Sequence, residues 1–130
     1  MLAIHFLALT IVLATGAESA PVEFTTDSME VVQENVAQGD AVLVDVRSKE
    51  EWDEGHLADS VFLPASSLRK REFPTEMTKE LPKNKIIYTF CVVGMRAKRA
   101  AAALEKQGFD VRALKPGYEE LAEARVRGTD

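Results

Sequence analysis

The chain has 130 residues, enough for one domain with a single core. Acidic residues outnumber basic ones, 21 against 16, and the formal net charge is −5. There is no basic block and no interleaving of basic with aromatic residues, so nucleic acid is excluded as an expected partner. One cysteine and two distant histidines, His5 and His56, cannot form a zinc site, and we expect no bound metal.

The first twenty residues differ in composition from the rest. Leu2 to Ala14 is almost wholly apolar, and small residues follow as far as Ala20. This pattern predicts a secretory signal peptide over residues 1–20, cleaved near residues 17–20, because the run is short for a membrane span of about 20 residues. No Lys or Arg precedes the run. An uncleaved anchor is one alternative, and a buried N-terminal strand or helix is another. We therefore expect an exported domain over residues 21–130, periplasmic or otherwise extracytoplasmic, without stable membrane insertion once the signal is cleaved.

The remaining sequence alternates helix-like with strand-like segments. In chain order the predicted elements are a helix within residues 25–38, a strand at 41–45, a helix at 48–54, a strand at 61–63, a helical turn at 65–70, a helix at 75–81, a strand at 86–90, a helix at 97–107, a strand at 111–114 and a helix at 117–125. Candidate N-caps of the first helix are Thr26, Asp27 and Ser28. Two of the strands are apolar throughout, which predicts an α/β fold with a parallel sheet covered by helices on both faces.

Two of the predicted strands end at residues that can do chemistry. Asp45 ends the strand at 41–45, and Cys91 directly follows the strand at 86–90. In parallel α/β sheets, ligands gather at the carboxyl ends of the strands. We therefore expect Asp45 and Cys91 to lie at one edge of the sheet.

The only cysteine lies between a strand and a helix. A thiol in this position faces free backbone N–H groups and the positive end of a helix dipole, which favour the nucleophilic thiolate. Gly94 allows a tight turn, and Arg96 adds a fixed positive charge. The alternative is that Cys91 is a small buried apolar residue, but the glycine and the arginine favour an anion-binding loop. A lone thiol in an exported protein also indicates reactivity.

A second group of polar residues follows the strand at 41–45. Asp45 and Arg47 leave this strand toward the sheet edge, where we expect them to form an ion pair with Glu51. His56 could act as a general base, but a hydrogen-bonding brace is the favoured interpretation. Trp52 is most simply a core residue.

The two groups together resemble a known family. Asp45-Val46-Arg47, Glu51-Trp52, Gly55-His56-Leu57 and Leu63-Pro64, followed by the loop Cys91-Val92-Val93-Gly94-Met95-Arg96, are similar to the motifs of a single-domain rhodanese. The resemblance runs from about Val42 to Leu121. It implies a three-layer α/β fold with about five parallel strands, and a sulfurtransferase that works through a cysteine persulfide without a cofactor. Cys91 would be the nucleophile, and the bound sulfur or its anionic donor would be held by the Arg96 side chain and by the backbone N–H groups of Val92, Val93, Gly94, Met95 and Arg96. Asp45, Arg47 and His56 would support the site.

Some positions depart from the family pattern. Val92 and Val93 stand where a polar or basic side chain is common, and their branched side chains narrow the approach to the loop. We therefore expect thiosulfate to be a weak donor and a persulfide or polysulfide to be preferred. If both valines instead point into the core, they leave the site unchanged.

The resemblance implies ping-pong chemistry on small molecules. Cys91 would take a sulfane sulfur from a donor such as thiosulfate and pass it to cyanide or a thiol, in a protein expected to be a monomer. One rival is a phosphatase of the Cdc25 or arsenate-reductase type, whose loops place one more residue between cysteine and arginine. Another rival is a rhodanese-fold module kept for binding alone. The intact cysteine, glycine and arginine argue against that module.

Overall fold

A computed structural model describes residues 22–127, and the signal peptide predicted over residues 1–20 lies outside them. The described elements, in chain order, are α1 (Met29–Ala37), β1 (Ala41–Asp45), α2 (Lys49–Glu54), β2 (Val61–Phe62), a 3-10 turn (Ala65–Ser67), α3 (Thr75–Thr78), β3 (Ile86–Phe90), α4 (Met95–Lys106), β4 (Asp110–Ala113) and α5 (Tyr118–Glu123). Within this range no helix combines the length and the apolar character that a membrane crossing requires.

The strands form one parallel sheet in the order β2–β1–β3–β4. Outside β4, Phe24 adds a single parallel bridge to Ala113. The predicted α/β fold is confirmed. Of the five strands or so that the resemblance implied, residues 22–127 show four, together with this one-residue bridge.

Helices cover both faces of the sheet because successive strand side chains point to opposite sides. On one face, the buried alanines of α4 and its Leu104 pack against Val44 and Ile87. On the other face, side chains of α1 and α5 pack around Leu43 and Tyr88. The two cores pack against both faces of the central strands β1 and β3, whose carboxyl ends lead to Asp45 and Cys91.

One predicted cap of α1 is found, and the boundaries of α3 and α4 differ from prediction. Among the candidate caps of α1, Ser28 is the N-cap, since its hydroxyl accepts a hydrogen bond from the Val31 N–H at 3.2 Å. α3 ends at Thr78, three residues earlier than expected. α4 begins at Met95 rather than at Ala97, because Gly94 completes the turn before it. The cysteine loop is therefore shorter than the sequence suggested.

Candidate active site

The ends of β1 and β3 meet at one edge of the sheet. Asp45 pairs in register with Phe90, and the Val46 N–H donates to the Phe90 carbonyl at 3.0 Å. Cys91 is the next residue after β3. The predicted common edge for Asp45 and Cys91 is therefore confirmed.

The cysteine sulfur is held by its own loop. Cys91 is only 1% exposed, and its Sγ accepts a hydrogen bond from the Gly94 N–H at 3.1 Å. Gly94 reaches this geometry with φ 102°, a left-handed conformation that a residue with a side chain rarely adopts. The first N–H groups of α4 follow directly and have no partner within the helix. The Cys91 sulfur therefore lies at the positive, N-terminal end of α4.

A second glycine supports the loop from the opposite side. A side chain at Gly117 would overlap the Val92 carbonyl oxygen and would lie 2.7 Å from the Cys91 carbonyl oxygen. The Tyr118 N–H donates to that same Cys91 carbonyl at 2.9 Å. The start of α5 thus fixes the backbone of the cysteine loop. The contact of Gly117 with residues 91 and 92 was not predicted from the sequence.

Arg96 is paired with Glu51. Arg96 Nη1 donates to Glu51 Oε1 at 2.6 Å, and Nη2 donates to Oε2 at 3.2 Å. The hydrogen bonds from Arg96, followed by those from Ser48, hold the pKa of Glu51 at about 2, against the opposing effect of burial. The pKa of Arg96 is raised, chiefly by Glu51 and further by the nearby Cys91 sulfur. The Arg96 guanidinium therefore lies beside both the Cys91 sulfur and the Glu51 carboxylate.

The prediction of an ion pair between Arg47 and Glu51 was wrong, because Arg47 pairs with Asp45. Arg47 Nε and Nη2 bind the carboxylate of Asp45 at 2.8–3.1 Å, and Nη2 also donates to the Gly55 carbonyl at 2.8 Å. The guanidinium lies 4.0 Å from the centre of the Tyr118 ring. Asp45 and Arg47 are buried, so their charges neutralise each other within the fold. The reason is proximity: Arg47 reaches back to its own strand before it can reach α2.

A cavity of about 310 Å³ lies next to the loop. Its lining residues are Arg47, Glu51, Glu54, Gly55, Val92, Tyr118 and Glu119. Three of these carry carboxylates, whereas the single guanidinium is already neutralised by Asp45. Val92 and Val93 are 44% and 73% exposed, so the alternative that both valines point into the core is wrong. The approach to the loop is therefore acidic on one side and apolar on the other.

His56 lies on the surface, against the end of α2. Its ring stacks on Trp52 with centroids 3.7 Å apart, and its Nδ1 donates to the Trp52 carbonyl at 2.9 Å. Trp52 also contacts Phe62 and is only half-buried, so its assignment to the core was wrong. His56 is not among the cavity-lining residues. The structure places it in the arrangement expected of a brace.

Fold and site together define a class of protein. A parallel α/β sheet presents a buried cysteine at a strand end, a loop N–H meets its sulfur, and an arginine stands at the start of the next helix. This arrangement is one that can bind an anion beside a cysteine side chain in an α/β protein.

The model of the rhodanese-like domain matches residues 28–124, and the chain belongs to this family. A human single-domain sulfurtransferase, TSTD1, has a similar structure, with a TM-score of 0.63 and 26% identity over 80% of this chain and 96% of that one. These matches support sulfur transfer as the general class of activity, carried out by an enzyme of the sulfurtransferase type.

Curated relatives carry the domain within longer chains. A putative sulfur carrier protein of Bacillus subtilis, YrkF, is 32% identical over 63% of this chain and 42% of its own. A tRNA uridine(34) hydroxylase of Bacillus pumilus is 31% identical over 74% of this chain and 27% of its own. The chain thus spans less than half the length of these relatives, and the similarity concerns the domain alone.

Proposed function

We propose that this protein transfers a sulfane sulfur from a small-molecule donor to a thiophilic acceptor through a persulfide on Cys91. The donor class includes thiosulfate, and the acceptor is cyanide or a thiol. One observation carries the proposal. The Cys91 sulfur accepts a hydrogen bond from the Gly94 N–H, in a loop where Arg96 lies near the same sulfur.

In the first half-reaction the Cys91 thiolate attacks the outer sulfur of the donor. A sulfur–sulfur bond forms at Cys91 while the donor's own bond to that sulfur breaks, and sulfite or a thiolate leaves with the electron pair. The negative charge moves to the outer sulfur of the new persulfide. Backbone N–H donors and Arg96 stabilise this charge, and losing one such donor typically costs about 10²–10³ in rate.

In the second half-reaction the acceptor attacks the outer sulfur of the persulfide. Cyanide leaves as thiocyanate and a thiolate leaves as a new persulfide, while Cys91 returns as its thiolate. Both half-reactions are displacements at sulfur, and no external electron donor is required. Val92 and Val93 are exposed, so the loop that follows Cys91 lies at the protein surface.

The environment of the loop supports a preference among donors. Thiosulfate carries two charges on a compact ion and would meet the carboxylates of Glu51, Glu54 and Glu119 at the adjoining cavity. The apolar side chain of Val92 offers it no hydrogen bond. A persulfide carries a single charge at its reacting end, so the same carboxylates repel it less than they repel thiosulfate. We therefore expect thiosulfate to be used with a high KM and a persulfide to be preferred.

A donor panel tests the proposal. Wild type should form thiocyanate from thiosulfate and cyanide, and Cys91→Ser should form none, since a serine alkoxide is not available near neutral pH. Arg96→Ala should weaken turnover in a folded protein. Failure with both thiosulfate and glutathione persulfide would overturn the proposal and favour a binding module, whereas hydrolysis of p-nitrophenyl phosphate would favour a phosphatase.

The two valines provide a matched pair of variants for donor choice. Val92 lines the cavity and Val93 does not, although Val93 is the more exposed. Val92→Arg should lower the KM for thiosulfate by about 3- to 10-fold, through a new charge near the donor. Val93→Arg should change it less. If Val92→Arg leaves this KM unchanged, the valines do not set donor choice.

A further inference from the structure

The residues before α1 contact the cysteine loop. They form an arm, residues 22–28, that lies almost entirely before the family match, which starts at residue 28. The arm is tied to β4 by the bridge of Phe24 to Ala113 and by the Thr25 N–H, which donates to the Ala113 carbonyl at 2.9 Å. The arm is therefore part of the folded domain and lies alongside the outer strand β4.

A polar cluster anchors the other end of the arm. Asp27 accepts hydrogen bonds from the Tyr88 hydroxyl at 2.6 Å and from Arg112 Nη1 at 2.7 Å. Asn35 donates to the same Tyr88 oxygen at 2.9 Å. These bonds join the arm to β3 and β4 from two directions. Phe24 is therefore held in place from both sides of its own segment.

The Phe24 ring lies against Gly94. A Cβ atom added at Gly94 would be 2.5 Å from two carbons of this ring, so the ring fills the space that a side chain would occupy. Lys98 Nζ lies 4.9 Å from the centre of the ring. The Gly94 N–H, in turn, is the donor to the Cys91 sulfur at 3.1 Å. A continuous path of contacts therefore joins Phe24 to the reactive sulfur through one glycine.

We propose that Phe24 is a positioning residue that holds the Gly94 N–H on the Cys91 sulfur. The proposal rests on the proposed role of Cys91 as the nucleophile. Gly94 has no side chain of its own and a left-handed backbone, so without an outside contact it can move away from the sulfur. The ring limits this movement and keeps the donor in place for the thiolate and for the persulfide. Phe24 touches neither reactant and acts only through Gly94.

The test measures the cysteine directly, without a sulfur donor. The rate of Cys91 alkylation by iodoacetamide is followed from neutral to alkaline pH, and the neutral rate is divided by the alkaline plateau. This ratio reports the fraction of Cys91 that is present as thiolate at neutral pH. A change in how easily iodoacetamide reaches the sulfur alters both rates equally and therefore cancels. In Phe24→Ala the ratio should fall about 3- to 10-fold, because a charged hydrogen bond is weakened. In Phe24→Leu, which keeps an apolar contact, most of the ratio should return.

Two comparisons separate positioning from folding. Val22→Ala shortens another side chain of the same arm, one that is not among the groups nearest to Gly94, and should leave the ratio unchanged. Urea denaturation of each variant reports stability independently, and should Phe24→Ala fail to fold, Phe24→Val gives the same measurement with a smaller truncation. A ratio that is equal in wild type and in a folded Phe24 truncation overturns the proposal. A lower ratio in Phe24→Ala with unchanged stability supports the positioning role of Phe24. This result does not depend on whether the protein uses any sulfur donor.

Discussion

Two arginine–carboxylate pairs lie at the same edge of the sheet and differ in burial. In the Asp45–Arg47 pair the side chains are 0% and 5% exposed, and Arg47 also donates to the Gly55 carbonyl. In the Glu51–Arg96 pair they are 30% and 34% exposed, and the guanidinium also lies near the Cys91 sulfur. The buried pair shapes the site, whereas the half-exposed pair stands where a reactant can meet it.

The difference shows why residue type alone does not assign a role. Both arginines belong to family-like motifs, and either could have served an anionic donor. Burial and the Gly55 and Tyr118 contacts remove Arg47 from that role. Arg96 keeps part of its surface in solvent and carries a partner, Glu51, that an incoming anion would have to compete with. The following predictions test this division of roles.

Breaking the buried pair should give the largest effect. Asp45→Asn leaves the Arg47 guanidinium buried without a counter-charge, so the free energy of unfolding should fall by about 3–5 kcal/mol. Urea denaturation measures it. Asp53→Asn is the matched control because it breaks the exposed Lys49–Asp53 pair, which should be worth less than about 0.5 kcal/mol. Equal losses in the two variants would contradict the structural role of Asp45.

Breaking the half-exposed pair should act on kinetics instead. Glu51→Gln frees the Arg96 charge and removes one carboxylate from the cavity, while glutamine keeps the capping box with Ser48. The KM for thiosulfate should fall by about 3- to 10-fold, with a much smaller change for a persulfide donor. Steady-state kinetics at low and at high salt measure this, and the gain should shrink at high salt. A rise in the thiosulfate KM would instead mean that Glu51 orients Arg96 for the donor.

The acid dependence of stability offers a further comparison. The pKa of Glu51 in the folded protein is about 2, below its usual value of 4.5, so its contribution is complete above pH 4.5 and is lost as the pH falls toward 2. Because water screens the half-exposed pair, this contribution should be about 1 kcal/mol. Denaturation of wild type and Glu51→Gln across this range should show the two curves converging at low pH. A constant gap between them would contradict the assignment.

The smallest effect is expected at His56. Removing its ring deletes one stacking contact with Trp52 and one hydrogen bond to the Trp52 carbonyl, both at the surface. His56→Ala should therefore reduce stability by about 0.5–1 kcal/mol and leave turnover nearly unchanged. If melting stayed the same while turnover disappeared, a role in proton transfer would replace the brace.

The sequence predicted the fold and the place of the site, but not the partners within it. Apolar strands ending at Asp45 and Cys91 were enough to bring both residues to one edge, because parallel strands end together. The partner of Arg96 could not be predicted from spacing, since Glu51 lies 45 residues away in the chain. Arg47 is much closer to Glu51 in the sequence and was therefore predicted as its partner. The contact of Phe24 with Gly94 carries no sequence signal either, because one aromatic residue before a helix has many possible neighbours.

The central claim is that Cys91 carries the transferred sulfur, and intact-protein mass spectrometry tests it most directly. Wild type incubated with glutathione persulfide, and separately with thiosulfate, should gain the mass of one sulfur atom and lose it again on addition of cyanide. Cys91→Ser should gain nothing under the same conditions. Persulfide mass retained in Cys91→Ser, or absent from wild type with both donors, would contradict the account.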